Sequence, residues 1–138
     1  MMSVPITALY AGLLGLVYVL VGLPIAVLRA RTGVSLYDGG NQALAVAIRR
    51  HANFFEYVPL ALLLIAMLEL NGASPMLVHG LGLALLIARI AHPFGLDYAE
   101  IRKPLRGLGA ITTTIVIIVA SVVLIYRTVL LWTLAASA

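Results

Sequence analysis

The feature that most constrains this chain is its set of four long apolar stretches, which cover roughly residues 4–28, 43–70, 76–94 and 105–134. Each is long enough to cross a hydrocarbon core of about 30 Å as a helix. The chain has 138 residues and is 63% hydrophobic and 10% charged, and a fold of this size cannot hide so much apolar surface from water. We therefore predict an all-α integral membrane protein in which one domain, residues 1–138, forms a bundle of four transmembrane helices.

The basic residues indicate how these helices cross the membrane. The ends joined by the first and third loops carry Arg29, Arg31, Arg49, Arg50, Arg89, Arg102, Lys103 and Arg106. Only Arg127 lies toward the other side. Because Lys and Arg favour the cytoplasmic side, we expect both loops in the cytoplasm and both termini outside, in the inner (plasma) membrane. No Lys or Arg precedes the first stretch, which is also too long for a signal peptide, so we expect it to be a retained helix.

One polar segment, residues 48–60, interrupts the apolar pattern near the start of the second span. It places Arg49, Arg50, His51, Asn53 and Glu56 directly before an apolar run. At about 100° per residue, Arg49, Asn53 and Glu56 share one narrow helical face, whereas His51 points to the opposite side. Polar groups beside hydrocarbon are costly and are often functional. This segment is therefore the first candidate for a binding site.

The face formed by Arg49, Asn53 and Glu56 admits two interpretations. Arg49 and Glu56 are seven residues apart, about 10.5 Å along the helix axis, and this distance predicts no direct ion pair between them. An extended zwitterionic ligand could place a carboxylate on Arg49 and an ammonium group on Glu56. Alternatively, Glu56 pairs with an arginine of another helix and locks the bundle, and Arg89 is then the expected partner.

The third and fourth spans add candidates at the same end of the bundle. Arg89 and His92 are three residues apart and so share a helical face, with Leu96 one turn further along. His92 could also simply lie in the headgroup region. Arg106 stands at the start of the fourth span, from which its side chain can turn inward, whereas Lys103 is expected to be a topology signal only.

Composition and spacing exclude several kinds of active site. The chain has no cysteine, and so no disulfide, thiolate metal site or cysteine nucleophile. Its three histidines lack metal-ligand spacing. The sequence contains no Gly-rich phosphate loop, no Ser-His-Asp set and no paired carboxylates suited to acid–base work. We assign no chemistry to Glu69 and His79, which lie toward the opposite membrane face.

Two motifs resemble a known family. Segment 49–59 has the pattern Arg-x-His-x-Asn-x-x-Glu-Tyr-x-Pro, which resembles the signature of the MAPEG proteins, the membrane-associated proteins in eicosanoid and glutathione metabolism. Arg89-x-x-His92, followed by Ile-Arg-Lys-Pro-Leu-Arg at residues 101–106, resembles the corresponding region of the prostaglandin E synthase branch. Length, four spans and the position of the first motif also match, so the resemblance covers nearly the whole chain.

This resemblance implies a homotrimer of four-helix protomers with glutathione bound between neighbouring subunits. The glutathione contacts that it implies come from Arg29, Arg49, His51, Asn53, Glu56, Tyr57, Arg89, His92 and Arg102. His51 would act from the adjacent subunit, and Arg31 is the alternative to Arg29. In the family an arginine near the start of the fourth span stabilises the glutathione thiolate. Arg106 matches this position best and is the expected catalytic residue, with Arg102 as the second choice.

The resemblance thus implies a glutathione transferase or peroxidase that acts on lipophilic electrophiles arriving from the bilayer. The main alternative is a non-catalytic scaffold of the same fold that binds lipid or glutathione. A small multidrug transporter is a third reading, but such proteins carry an acidic residue in the first span, and residues 4–28 contain none. Two positions depart from the family: Leu96 stands where a tyrosine is common, and Gly107 where the prostaglandin branch has a serine.

Overall fold

The computed structural model describes residues 3–99 and 103–137. In these ranges the chain forms four α-helices, α1 (Pro5–Thr32), α2 (Gln42–Leu70), α3 (Pro75–Phe94) and α4 (Pro104–Ala136). All four are long and apolar enough to cross a membrane. The predicted all-α bundle of four membrane-spanning helices is therefore confirmed.

The helix ends follow the local sequence. Proline occupies the first turn of α1, α3 and α4, where its missing N–H leaves no helical hydrogen bond unmade. The Asn41 side chain accepts a hydrogen bond from the Leu44 N–H at 3.0 Å and so caps α2. Helix α1 continues past the predicted boundary at residue 28 to Thr32. It ends there because Gly33 adopts the left-handed conformation (φ 70°) and donates its N–H to the Arg29 carbonyl.

The two middle helices form the centre of the bundle. Helices α2 and α3 contact each other and both outer helices, whereas no described Cα atom of α1 lies within 8 Å of one in α4. The apolar core between the helices includes Leu14, Phe54, Ile65, Leu85, Val116 and Ala120. The outward faces are apolar too, with Leu16 of α1 and Ile125 of α4 both exposed. Such faces are suited to contact with lipid or with another membrane helix.

The two ends of the bundle differ in their polar residues. At one end α1 and α3 finish and α2 and α4 begin, with residues 33–41 between α1 and α2 and residues 95–103 between α3 and α4; we call this the arginine-rich end. At the opposite end α1 and α3 begin and α2 finishes, with loop 71–74 between α2 and α3. The polar segment of α2 lies toward the arginine-rich end, and Glu69 lies at the opposite end.

Candidate functional site

Arg49 and Glu56 form a direct ion pair on the surface of α2. The guanidinium atoms Nη1 and Nη2 donate to Oε1 and Oε2 at 2.9 and 3.1 Å, and the side chains are 59% and 43% exposed. The prediction that the two residues are too far apart for a direct pair was wrong. Helical side chains lean toward the N-terminus, so Glu56 reaches back while the long Arg49 side chain extends forward along the same face.

Arg89 of α3 is almost completely buried, at 2% exposure. Its Nη1 donates to Asn53 Oδ1 at 3.1 Å and its Nη2 to the Gly109 carbonyl of α4 at 3.0 Å. The expectation that Arg89 pairs with Glu56 was therefore wrong, because Glu56 is held by Arg49 of its own helix. Arg89 instead ties α2, α3 and α4 together. Its Nε is buried and has no hydrogen-bond partner in the described part of the chain.

A small cavity of about 40 Å³ lies beside the Arg89 guanidinium. Its lining residues are Asn53, Tyr57, Arg89, Ala110, Thr113 and Thr114. The centre of the Tyr57 ring is 5.8 Å from the guanidinium carbon of Arg89, within range of a cation–π contact. Thr113 Oγ1 donates to the Gly109 carbonyl at 2.9 Å, so this oxygen serves two side-chain donors. The cavity has room for one or two waters, and a larger ligand must lie on the protomer surface.

His92 adds a buried imidazole to this region. It lies within electrostatic range of three guanidinium groups, those of Arg49, Arg89 and Arg106. Three cations from α2, α3 and α4 therefore act on one histidine, and Glu56 is the carboxylate that pairs with one of them. This excess of positive charge suits an anionic ligand.

Two glycines allow α3 and α4 to approach closely enough to form this cluster. A Cβ on Gly109 would lie 2.7 Å from the His92 Cβ. A Cβ on Gly95 would collide with the backbone nitrogen of Arg106. Both contacts are shorter than a side chain tolerates, so the backbone at these positions sets where His92 and Arg106 stand.

The structure gathers most of the sequence-predicted site residues at the arginine-rich end. The gathered residues are Arg49, Asn53, Glu56, Tyr57, Arg89, His92 and Arg106. His51 lies elsewhere, on the face of α2 that packs against α1. Its ring lies 4.3 Å from that of Tyr18, and a Cβ on Gly22 would come within 3.1 Å of it. Its predicted contact with a ligand of the adjacent subunit stays a prediction.

Arg29 is also apart from the cluster. Its Nη1 donates to the carbonyls of Val34, Ser35 and Tyr37 at 3.0, 2.8 and 3.2 Å, and so organises the loop after α1. Within one protomer its guanidinium is thus occupied by loop backbone. Arg102, another predicted glutathione contact, lies outside the described residues.

Sequence reasoning missed two parts of this end of the bundle. The first is Gly109, whose carbonyl accepts from Arg89 and Thr113; the run of three threonines at residues 112–114 was the available signal, since threonine hydroxyls bond the carbonyl four residues earlier. The second is Arg50, whose Nη2 donates to the Leu96 carbonyl at 2.7 Å. Its position about 100° around the helix from Arg49 separates it from the cluster.

The opposite end carries a second polar group with a structural role. Glu69, to which the sequence assigned no chemistry, accepts hydrogen bonds from the Ile6 N–H, the Thr7 N–H and Thr7 Oγ1 at 2.9, 2.8 and 2.6 Å. It thereby caps the start of α1 from another helix. Nearby, the Tyr10 hydroxyl and His79 Nδ1 are 3.2 Å apart.

The cluster can bind a ligand that carries more than one anionic group and one ammonium group. Arg49, Arg89 and Arg106 supply positive charge from α2, α3 and α4, and Glu56 supplies one carboxylate. Among residues 3–99 and 103–137, no three His, Asp or Glu side chains stand close enough together to hold a metal ion.

Comparison with known proteins agrees with this architecture. The model of the MAPEG family matches residues 7–126. The inner membrane protein YecN of Escherichia coli K12 is 36% identical over 105 residues, which are 76% of this chain and 80% of that protein. YecN of E. coli O6:H1, strain CFT073, matches to the same extent. No solved structure shows significant similarity. Since the family match spans most of the chain and includes the whole polar cluster, this four-helix membrane protein belongs to the MAPEG family.

Proposed function

We propose that this protein is a membrane-embedded, glutathione-dependent transferase or peroxidase that acts on lipophilic electrophiles. The observation that carries the proposal is the exposed bidentate pair of Arg49 and Glu56 beside a cluster with excess positive charge. The pair lies on the protomer surface and joins two residues of the same helix, so a ligand can replace it without moving a helix. Its two halves complement the carboxylate and the ammonium group at the γ-glutamyl end of glutathione, which would replace the ion pair with two new ones.

The charge of the cluster also suits the rest of the tripeptide. Glutathione carries two carboxylates and one ammonium group, and the cluster offers three guanidinium groups and the carboxylate of Glu56. Guanidinium groups bind carboxylates through two parallel hydrogen bonds. Arg49 is assigned to one carboxylate. Arg89, which contacts Asn53 and Tyr57, forms a rigid, positively charged surface beneath the peptide. His92 belongs to the same surface of α3.

Arg106 is assigned to the thiol. A free thiol has a pKa of about 8.5, so little thiolate exists at neutral pH. A guanidinium in a partly dry site favours the anion and lowers that pKa. Arg106 stands at the first turn of α4, where the backbone of Gly95 packs against it, so its position is held by the fold.

The thiolate would then react in one of two ways. With a halogenated aromatic substrate, its sulfur forms a C–S bond and the halide leaves. With a lipid hydroperoxide, the sulfur attacks the terminal oxygen, the O–O bond breaks, and the alkoxide that leaves takes a proton from water to become the alcohol. The resulting sulfenic acid of glutathione is reduced by a second glutathione, which yields the disulfide and water.

The proposal includes a homotrimer in the inner membrane. The exposed ion pair, together with exposed Phe55 and Tyr57 on α2, supports a covering subunit, because charged groups facing hydrocarbon are costly. His51 and Arg29 are assigned to the glutathione bound by an adjacent protomer, and Arg102 is the alternative to Arg106. The name of the E. coli relative supports the inner membrane. Cytoplasmic first and third loops, with both termini outside, would let glutathione reach the cluster.

The first test is binding and turnover by the purified protein. We expect glutathione to raise the thermal unfolding midpoint and to be conjugated to 1-chloro-2,4-dinitrobenzene or oxidised by a lipid hydroperoxide. Stabilisation without turnover of either substrate would leave the non-catalytic scaffold as the function. The absence of both stabilisation and turnover would refute the proposal. A mass other than that of three protomers would refute the trimer.

The second test isolates Arg106. In Arg106→Ala we expect the ultraviolet absorbance of the bound thiolate to disappear while glutathione still binds with reduced affinity. The matched control is Arg127→Ala, which removes the same charge at the opposite end, where Arg127 donates to the Asn71 carbonyl. Equal thiolate absorbance in wild type and Arg106→Ala would reject the role given to Arg106.

A further inference from the structure

Arg50 takes no part in the cluster described above. Its Nη2 donates to the Leu96 carbonyl at 2.7 Å, which holds the guanidinium in place. Its Nε is buried without a hydrogen-bond partner among the described residues. In residues 3–99 and 103–137, no carboxylate lies within 4.0 Å of this guanidinium. Arg50 therefore carries a partly desolvated positive charge that no described acidic side chain neutralises.

Two cavities meet at this guanidinium. The first, which we call the α1–α3 groove, has a volume of about 370 Å³ and apolar walls formed by Val17, Leu20, Val21, Ile90, Pro93 and Phe94. The second, which we call the polar compartment, has a volume of about 350 Å³ and mixed walls, in which Gln42, Asp97 and Tyr98 lie beside apolar residues such as Leu28 and Val46. Pro24 and Arg50 line both cavities. One guanidinium thus stands between an apolar space and one whose walls are partly polar.

The order of the two cavities matches the order of a membrane leaflet. The α1–α3 groove follows residues 17–24 of α1, about 10 Å along the helix, toward the middle of the membrane. Leu20 and Phe94 at its rim are 64% and 72% exposed, so the groove opens sideways to hydrocarbon. The polar compartment lies at the helix ends beside the loop that follows α3. Arg50 therefore stands between the groove that faces hydrocarbon and the compartment beside the loop.

We propose that these two cavities together bind one anionic phospholipid, with its phosphate on Arg50 and an acyl chain in the α1–α3 groove. Guanidinium groups match phosphate geometry, and basic pockets between transmembrane helices bind anionic headgroups. The phosphate takes the accessible Nη1 of Arg50, for which the described residues provide no partner. Burial of Nε leaves less water to screen the charge, and this strengthens the attraction to an anion.

The polar compartment suits the remainder of the headgroup. The Gln42 amide and the Tyr98 hydroxyl can donate to or accept from headgroup hydroxyls. Asp97 does not oppose the phosphate, because the Lys103 ammonium lies 2.7 Å from its carboxylate and neutralises it. An anionic lipid with a hydroxylated headgroup, such as a phosphatidylglycerol, fits this chemistry.

The lipid site is independent of the proposed glutathione function. It uses neither the pair of Arg49 and Glu56 nor Arg106. Its walls come from α1 and α3, so a bound lipid bridges these two helices from the bilayer side. We expect it to stabilise the fold rather than to be a substrate.

The test titrates phospholipid into the full-length protein in an uncharged detergent and follows thermal unfolding. The probes are phosphatidylglycerol, phosphatidylcholine and a free fatty acid with the same acyl chains. We expect phosphatidylglycerol to bind at least tenfold more tightly than phosphatidylcholine. Arg50→Gln is expected to weaken phosphatidylglycerol binding at least tenfold and to abolish this preference. Val21→Trp, which fills the α1–α3 groove and keeps Arg50, is expected to weaken both phospholipids.

The matched control is Arg31→Gln, which removes an exposed charge at the same end and should change lipid affinity by less than twofold. Equal binding of the two phospholipids to the wild type, or equal effects of Arg50→Gln and Arg31→Gln, would overturn the proposal. So would a fatty acid that binds as tightly as phosphatidylglycerol, since the occupant is then a free carboxylate. If Arg50→Gln does not fold, Val21→Trp provides the test. A changed oligomeric mass with unchanged lipid affinity would overturn the proposal, because another subunit would then cover the α1–α3 groove. Glutathione binding, measured on the wild type, Arg50→Gln and Val21→Trp, should stay unchanged.

Discussion

The two ends of α2 carry carboxylates with different roles. At the opposite end, Glu69 accepts three hydrogen bonds from the first turn of α1, so its acceptors are engaged by another helix of the same bundle. At the arginine-rich end, the described residues give Glu56 one partner, Arg49 of its own helix, and the two side chains are 43% and 59% exposed. A carboxylate that fixes the fold is bound to backbone elsewhere in the chain. A carboxylate that is available to a ligand has a partner it can release without moving a helix.

Arg89 also fixes the fold, because it ties α2, α3 and α4 together. Its removal should therefore give the largest loss of stability. Arg89→Ala leaves the Asn53 amide oxygen without this donor and removes one of the two side-chain donors to the Gly109 carbonyl. Hydrogen bonds to charged groups are worth about 1.5–3 kcal/mol each, so we expect a loss of about 3 kcal/mol in the free energy of unfolding, measured by denaturation in micelles. The control is the exposed Arg49→Ala, for which we expect less than about 1 kcal/mol. Similar losses in the two variants would contradict the distinction between Arg89, which holds the helices together, and the exposed pair of Arg49 and Glu56.

The glycines of α4 test how tightly the arginine-rich end is packed. Gly109→Ala places a Cβ 2.7 Å from the His92 Cβ, and overpacking of this kind costs about 1–3 kcal/mol. Gly107→Ala is the matched control, because no atom lies within 4 Å of its added Cβ, and replacing a helical glycine should stabilise by about 0.5–1 kcal/mol. Thermal unfolding of both variants checks the prediction. A Gly109→Ala protein as stable as the wild type would show that α3 and α4 adjust freely.

The two carboxylates of α2 can be compared directly by the same substitution. Glu69→Ala removes a helix cap, so we expect a loss of about 1–2 kcal/mol in the free energy of unfolding and no change in glutathione affinity. Glu56→Ala removes an exposed pair and should cost less than about 1 kcal/mol, but should weaken glutathione binding at least tenfold. Unfolding curves and calorimetry on the two variants measure both quantities. If the two substitutions behaved alike, the contrast between the ends of α2 would not hold.

The smallest effect is expected in the loop after α3, which lies outside the membrane spans. The hydrogen bond from Lys103 and that from the Ala99 N–H lower the pKa of Asp97 below its usual value of 3.8. A depressed pKa means that the stabilising contribution is present above the unfolded value and is lost as the pH falls through the folded value. The unfolding midpoint of the wild type should therefore drop slightly below about pH 4, and that of Asp97→Asn should drop less. If the unfolding midpoints of the two proteins fell equally with pH, the pair of Asp97 and Lys103 would contribute nothing to stability.

Much of the candidate site could be predicted from residue spacing. The helical period separates Arg49, Asn53 and Glu56 from His51, and the structure places His51 against Tyr18 of α1, away from the cluster. The partners of these groups could not be predicted. Spacing along a helix axis suggested that Arg49 and Glu56 do not meet, yet the direction and length of their side chains bring them into contact. The Gly109 carbonyl could not be recognised as the acceptor for Arg89, because any helical carbonyl looks the same in a sequence.

The sequence by itself determined that this protein has four membrane-spanning helices and that all its arginines except Arg127 lie toward one end. Hydropathy is a sum over about 20 residues, so a few substitutions do not alter the outcome. Only the tertiary structure decided which polar groups meet: Arg89 with Asn53 and Gly109, and Glu69 with the start of α1. Hydrogen bonds form only within about 3 Å, and such distances depend on how closely the helices pack. Close approach at Gly95 and Gly109 sets that packing on the α3–α4 side, and a linear sequence does not reveal which glycine lies at a helix contact.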